Sequence, residues 1–217
     1  MYQPPHFREE RLETLHALMR AHPFAALVTV GPDGLVANHY PFVLKPELSP
    51  NGTLHAHMSK ANDQWKLLDG VQEALIIFQG VQAYITPSWY ATKQESGKVV
   101  PTWNYALVHA YGRPRAIHEA AWLTQHVTDL SAQHEADRAE PWAVTDAPAD
   151  FVASLVKGIV GFEIEITRLE GKVKASQNRP QADRDGVMAG LTELGDEQSR
   201  RMAALVAAPG GTTSANG

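Results

Sequence analysis

Cysteine does not occur in this chain of 217 residues, and that one absence removes disulfides, thiolate metal sites and cysteine nucleophiles together. Any redox chemistry must then come from a bound organic cofactor, or from a metal held by histidines and carboxylates. No apolar run reaches the length of a membrane span, and the amino-terminal stretch MYQPPHFREERLE has neither a basic nor an apolar leader region. No membrane association and a cytoplasmic location are the expectations. An excess of basic residues is lacking as well: 19 Lys and Arg stand against 24 Asp and Glu, a formal charge of -5. A chain whose whole surface attracts nucleic acid is thereby disfavoured, because such binding rests on neutralising phosphates. A local basic patch is still compatible with this balance. Several signature motifs are missing too: G-x-G-x-x-G after a strand, the P-loop, the G-x-S-x-G elbow and H-E-x-x-H. Rossmann, NTPase, elbow-hydrolase and zincin chemistries lose their usual support. No helix-turn-helix pair with a basic recognition helix stands out.

What the chain does have is concentrated between Tyr84 and Tyr111, in the stretch YITPSWYATKQESGKVVPTWNYALVHAY. From Trp103 the residues alternate. Trp103, Tyr105, Leu107, His109 and Tyr111 point to one side of a strand, and Asn104, Ala106, Val108 and Ala110 to the other. The small face can pack into a tight sheet interior while the aromatic face meets a planar ligand, a second subunit, or both.

Periodicity predicts the remaining elements. A first helix is expected over Arg8 to Arg20, then a hairpin of Phe24 to Val30 and Leu35 to Leu44 turning at Gly31-Pro32-Asp33-Gly34. Asn51-Gly52 turns the chain into a strand from Thr53 to Met58. Ser59 is read as the N-cap of a helix from Lys60 to Leu68. A strand from Glu73 to Gln79 is expected to break at Gly80, and the central strand to run on to Ile117 with an edge or bulge at Pro114. An amphipathic helix from His118 to Glu135 follows, then a short one capped by Asp150. Phe162 to Thr167 reads as a half-buried strand that turns at Glu170-Gly171 into Lys172 to Gln177. Helices are predicted over Asp183 to Leu194 and Asp196 to Val206. The pattern is α+β around an antiparallel barrel: one domain over residues 1–207, with a flexible tail from residue 208.

Three places could carry chemistry. At His57-Met58-Ser59-Lys60-Ala61-Asn62 a helix start, a hydroxyl and an ammonium converge as a phosphate monoester requires. An ordinary capped helix beside an exposed lysine would read the same way. His55 and His57 share a strand face near His39, but a metal would usually need a further ligand, so no metal is expected. His118, His126 and His134 read as solvated helix positions. In KVKASQNR, from Lys172 to Arg179, cations accompany amides that can meet a heterocycle edge, although a solvated hairpin end would look alike.

Several of these segments, in the same order, resemble the PaiB-type FMN-binding negative transcriptional regulators, a branch of the FMN-binding split-barrel proteins related in fold to pyridoxamine-phosphate oxidases. They are MYQPPHF, HMSKANDQW, YITPSWY, VVPTWNYALVHAYG and KASQNR. The resemblance implies a six-stranded split barrel with flanking helices, a homodimer, and FMN in a cleft at the dimer interface. By position it implies that His57, Met58, Ser59, Lys60 and Asn62 form the phosphate and ribityl region, with Asn38 and His39 along the second strand of the cleft. Trp103, Tyr105, Lys174, Gln177 and Asn178 would approach the flavin from the partner side. The functions it brings forward are transcriptional regulation, with DNA binding only weakly supported by the charge balance; a flavin-dependent oxidoreductase or flavin reductase; or a haem-binding or haem-degrading protein using His39 or His57. The substrate, the electron donor and any catalytic acid or base stay unassigned.

Overall fold

The computed structural model describes residues 1–208; the tail expected from residue 208 lies, from residue 209 on, outside the described residues. The first half of the chain forms β1 (Arg8–Glu9), α1 (Leu12–Ala21), β2 (Phe24–Gly31), β3 (Gly34–Pro41), β4 (Val43–Lys45), β5 (Thr53–Ser59), α2 (Trp65–Leu68), β6 (Ala74–Ile85) and α3 (Thr92–Ser96). The second half forms β7 (Thr102–Ile117), α4 (Ala120–Glu135), α5 (Ala149–Val156), β8 (Ile159–Lys174), α6 (Gln181–Leu194) and α7 (Glu197–Ala207). The fold is α+β, an antiparallel sheet with flanking helices. Its hydrogen-bonded order is β3-β2-β6-β7-β8-β5-β4, with β1 added on β8. Eight strands in an open order replace the six expected. Two short strands account for the difference. Arg8 and Glu9, expected as helix, pair with Lys172 and Gly171 of β8, and the expected strand from Leu35 to Leu44 divides at Phe42, whose N–H turns to the carbonyl of Pro23 at 2.9 Å. None of the helices is long and apolar enough to cross a membrane, among the described residues.

The chain divides into two compact units interleaved in sequence. One comprises Met1–Leu15, Gln79–Val108 and the chain from Glu170; the other comprises His16–Phe78 and His109–Leu169. The first unit packs Val81, Ile85 and Tyr90 against Ala175, Val187 and Leu191, with Met202 and Val206 of α7 closing the same core. In the second, Phe42 meets Phe78 at 5.7 Å and Phe162 at 6.0 Å between ring centroids. The hairpin of β2 and β3 has the expected register, from Phe24 opposite Pro41 to Gly31 opposite Gly34.

Glycine overrides the remaining breaks that the sequence suggests. Gly80 does not end a strand. It lies within β6, where an added Cβ would sit 2.9 Å from the carbonyl oxygen of Ala106, so the missing side chain admits a neighbouring backbone. Gly171 likewise sits inside β8 and not at a turn, against Glu9, whose carbonyl oxygen would be 2.7 Å from a Cβ there. Pro114 neither ends nor edges its strand: β7 runs unbroken to Ile117 and is interior to the strand order. The alternation read from β7 is present in the structure. Asn104, Ala106, Val108 and Ala110 are buried, while Trp103 is 52% exposed.

Candidate functional site

The chain after β5 does not enter a helix at Ser59. Ser59 Oγ accepts from the N–H of Ala61 at 3.2 Å, its carbonyl accepts from the N–H of Asn62 at 2.9 Å, and Asn62 Oδ1 accepts from the N–H of Gln64 at 3.1 Å. These short-range bonds compete with helical pairing. The segment stays a turn, and α2 is confined to Trp65–Leu68.

Gln64, only 3% exposed, ties this turn to the β2–β3 hairpin. Its Nε2 donates to Thr29 Oγ1 at 3.0 Å and to the Val36 carbonyl at 3.3 Å, while its Oε1 accepts from Asn38 Nδ2 at 3.0 Å and from the Tyr40 hydroxyl at 2.8 Å. Asn62 Nδ2 donates to the same Tyr40 hydroxyl at 2.9 Å. Burial pushes the Tyr40 phenol above its ordinary range, and the bond from Asn62 acts the other way. The network is satisfied at both ends, which is the condition for a buried amide to stabilise and not cost free energy.

Of the residues expected near a cofactor phosphate, Ser59 and Lys60 are exposed at the end of β5, with Asn62 half-buried beside them. Lys60 Nζ donates one proton to the Lys157 carbonyl at 2.6 Å and has two left. Ser59 receives a bond and keeps its O–H; Asn62 keeps one amide proton. The donor set therefore fits a phosphate monoester, although no helix terminus contributes to it. Met58 is buried, its sulfur 3.6 Å from the Tyr40 hydroxyl, facing the core. Asn38 and His39 lie on opposite faces of β3: Asn38 reaches Gln64, whereas His39 is exposed and stacks on Phe24 at 5.8 Å.

His57 is taken up elsewhere. Its Nδ1 lies 3.0 Å from Nε2 of His126. Expected as a solvated position, His126 is instead 2% exposed, on the face of α4 that Trp122 shares by stacking at 5.3 Å. Burial, then the positive charge that His57 and His55 would carry, pushes His126 down to about 3, and burial also lowers His57 and His55. A third imidazole on a helix could be anticipated only from the strand it covers. Among the described residues no group of three or more His, Cys, Asp or Glu is arranged to hold a metal ion.

The remaining expected residues belong to the first compact unit. Trp103 meets Tyr84 edge-on at 6.0 Å, and Tyr105 lies 5.3 Å from Lys172 Nζ. Gln177 is bound to its own turn, accepting from the Ala175 N–H at 2.6 Å and donating to the Val173 carbonyl at 2.6 Å. Lys174 donates to Thr102 Oγ1 and, with Asn178, lines a cavity of about 170 Å³. Asn104, fully buried, also lines it; among Asn104, Ala106, Val108 and Ala110, the small residues of the alternation, it is the one polar side chain.

Comparison with known proteins gives the family of the chain. Residues 1–168 match the family described as "Putative FMN-binding domain". The chain is 37% identical over 241 residues to an uncharacterized protein of Emericella nidulans, covering 95% of this chain and 96% of that one. It is 29% identical over 206 residues to the protease synthase and sporulation protein PAI 2 of Bacillus subtilis, with 95% and 96% covered. Among solved structures, the flavocytochrome Anf3 of Azotobacter vinelandii superposes with a TM-score of 0.55 at 15% identity, covering 77% of this chain and 69% of that one. The FAD and heme binding protein of Mycobacterium smegmatis gives 0.56 at 15%, covering 77% and 73%. The structural likenesses establish the fold; the match along the sequence establishes more: this chain belongs to the FMN-binding domain family, with FMN as its cofactor.

Proposed function

We propose that this chain is an FMN-dependent oxidoreductase of split-barrel type that holds the FMN phosphate at the turn 59–64. The observation that carries the reading is the donor set there: the Ser59 hydroxyl, the Lys60 ammonium and the Asn62 amide stand together at an exposed strand end, each with a proton to give. FMN, when bound, supplies the electron-transfer chemistry. The chain's own residues hold and orient. Gln64 and Tyr40 fix Asn62, so its amide is positioned before the ligand arrives. Haem ligation finds less support, because His57 is engaged with His126 and His39 with Phe24.

Titration followed by flavin fluorescence tests the proposal. The expected outcome is saturable FMN uptake at micromolar concentrations, with riboflavin, which lacks the phosphate, bound at least about tenfold more weakly, a difference of about 1.4 kcal/mol. Lys60→Ala removes that preference by weakening FMN and leaving riboflavin unchanged. No uptake, or an unchanged FMN affinity in Lys60→Ala, counts against it.

A second reading, a negative transcriptional regulator of PaiB type, is favoured by the likeness to PAI 2 of Bacillus subtilis along nearly the whole of both chains. It predicts a mobility shift on the upstream region of its own gene that survives competition by random DNA; a shift equally strong on random DNA, or none, rejects it. We also propose a homodimer, on the strength of the exposed aromatic pair Tyr84 and Trp103, 49% and 52% exposed.

A further inference from the structure

The cavity of the first compact unit is chemically distinct from the turn at Ser59. Lys174 and Arg179 bring positive charge to its lining, and among the described residues that lining includes no carboxylate. Phe7, Val100 and Pro101 form its apolar part. Two polar atoms of lining residues are buried without a hydrogen-bond partner among the described residues: the Tyr90 hydroxyl and Asn104 Oδ1. The Arg179 guanidinium lies over the Tyr90 ring, 4.6 Å from its centroid. Burial raises the phenol's pKa, and the charge of Arg179 and a hydrogen-bonding approach of its guanidinium to the hydroxyl act the other way, which leaves the O–H itself free to donate. Asn104 spends Nδ2 on Ser176 Oγ at 2.9 Å, which leaves Oδ1, an acceptor, as its unmatched atom. Burial, reinforced by the like charges of Lys172 and Arg179, holds the Lys174 ammonium below the usual lysine range, with Tyr105 acting the other way.

These features select a ligand. Two cations without a carboxylate ask for an anion, and the Tyr90 hydroxyl can add a donor to it. An unmatched buried acceptor is destabilising until a donor reaches it, and a fully deprotonated oxyanion has none to offer. At about 170 Å³ the space is below the several hundred Å³ of sites that take cofactor-sized ligands. We propose that this cavity is a binding site for a small oxyanion that carries its own O–H, of which hydrogen phosphate is the simplest. In it the anionic oxygens meet Lys174 and Arg179, and the O–H donates to Asn104 Oδ1. Its lining shares no residue with the turn at Ser59.

Calorimetric titration of the full-length chain with inorganic phosphate and with sulfate, at equal ionic strength and neutral pH, tests this. Sulfate has the shape and charge but no proton to donate. The expected result is saturable phosphate binding, one per chain, with sulfate at least about tenfold weaker, the loss of roughly one hydrogen bond. Lys174→Met and Arg179→Met each weaken phosphate at least about tenfold, as loss of a charged hydrogen-bond partner does. Asn104→Leu lowers phosphate to the level of sulfate; should that variant not fold, the phosphate-to-sulfate ratio of the native chain decides the same point. Lys60→Ala leaves phosphate binding intact, which separates this site from the FMN turn. Absence of saturable binding, equal affinity for the two anions, indifference to both cation variants, or loss in Lys60→Ala overturns the proposal. FMN uptake is read independently by flavin fluorescence, so either reading can fail without the other.

Discussion

His126 is where single-residue physics has the largest consequence. In the unfolded chain it titrates at the ordinary histidine value of 6.5, whereas in the folded protein burial and its imidazole neighbours bring it to about 3. Between those values the unfolded state binds more protons than the native state, so stability falls as pH falls. The contribution is fully present above the unfolded pKa and is lost progressively below it. For His126 alone the loss between pH 7 and pH 5 amounts to about 2 kcal/mol, and His57 and His55, shifted in the same direction, add to it. Urea unfolding at the two pH values checks this: the native protein should lose stability steeply, and His126→Gln should show a shallower slope by about that amount. An unchanged slope would mean that the imidazole takes up its proton without unfolding. Legibility at this scale follows exposure. Ser59, Lys60 and Asn62 could be picked out because their chemistry is local to six residues of sequence. Gln64 could not, because what makes it a hub is the approach of Thr29, Asn38 and Tyr40 from a hairpin some 25 to 35 residues earlier.

Elements were legible where one periodicity dominates. The β2–β3 hairpin, the alternation of β7 and the helix expected from Asp196 to Val206, found as α7 (Glu197–Ala207), all follow from local pattern. Misreadings arose where a residue's usual local meaning gave way to packing. Glycine commonly ends a strand, yet Gly80 and Gly171 are inside strands because another segment passes where a Cβ would be. Serine commonly opens a helix, but Ser59 is followed by Asn62, and two side chains that bond nearby N–H groups hold a turn instead. That difference matters for function. With α2 only four residues long, an anion at this turn is met by side-chain donors and not by a helix dipole, so its affinity should depend on Lys60 more steeply than a helix-terminus site would. Spacing alone also does not decide burial: Leu194 is spaced to share a face of α6 with Val187 and Leu191, yet it is 59% exposed at the helix end while the other two are buried.

For the whole molecule, the surface itself argues for a partner. The formal charge of -5 gives it no general attraction for nucleic acid. Trp103 and Tyr84 present half-exposed rings edge-on to one another on the outward face of two strands. Aromatic residues of this kind are the usual anchors of interfaces, where a central tryptophan typically carries about 2 kcal/mol or more. If the aromatic face is the homodimer interface, and the FMN cleft forms there as the family resemblance implies, then association and cofactor binding stand or fall together. Sedimentation of the native chain should give twice the one-chain mass. Trp103→Asp, which places a charge in the patch without touching the turn at Ser59, should shift the population toward one chain. FMN affinity should fall at least about tenfold with it, a change of about 1.4 kcal/mol, and recover at protein concentrations high enough to restore the dimer. A single-chain species that keeps full FMN affinity would show that the cleft is complete within one copy, and would leave the aromatic face of β7 without a role in holding the flavin.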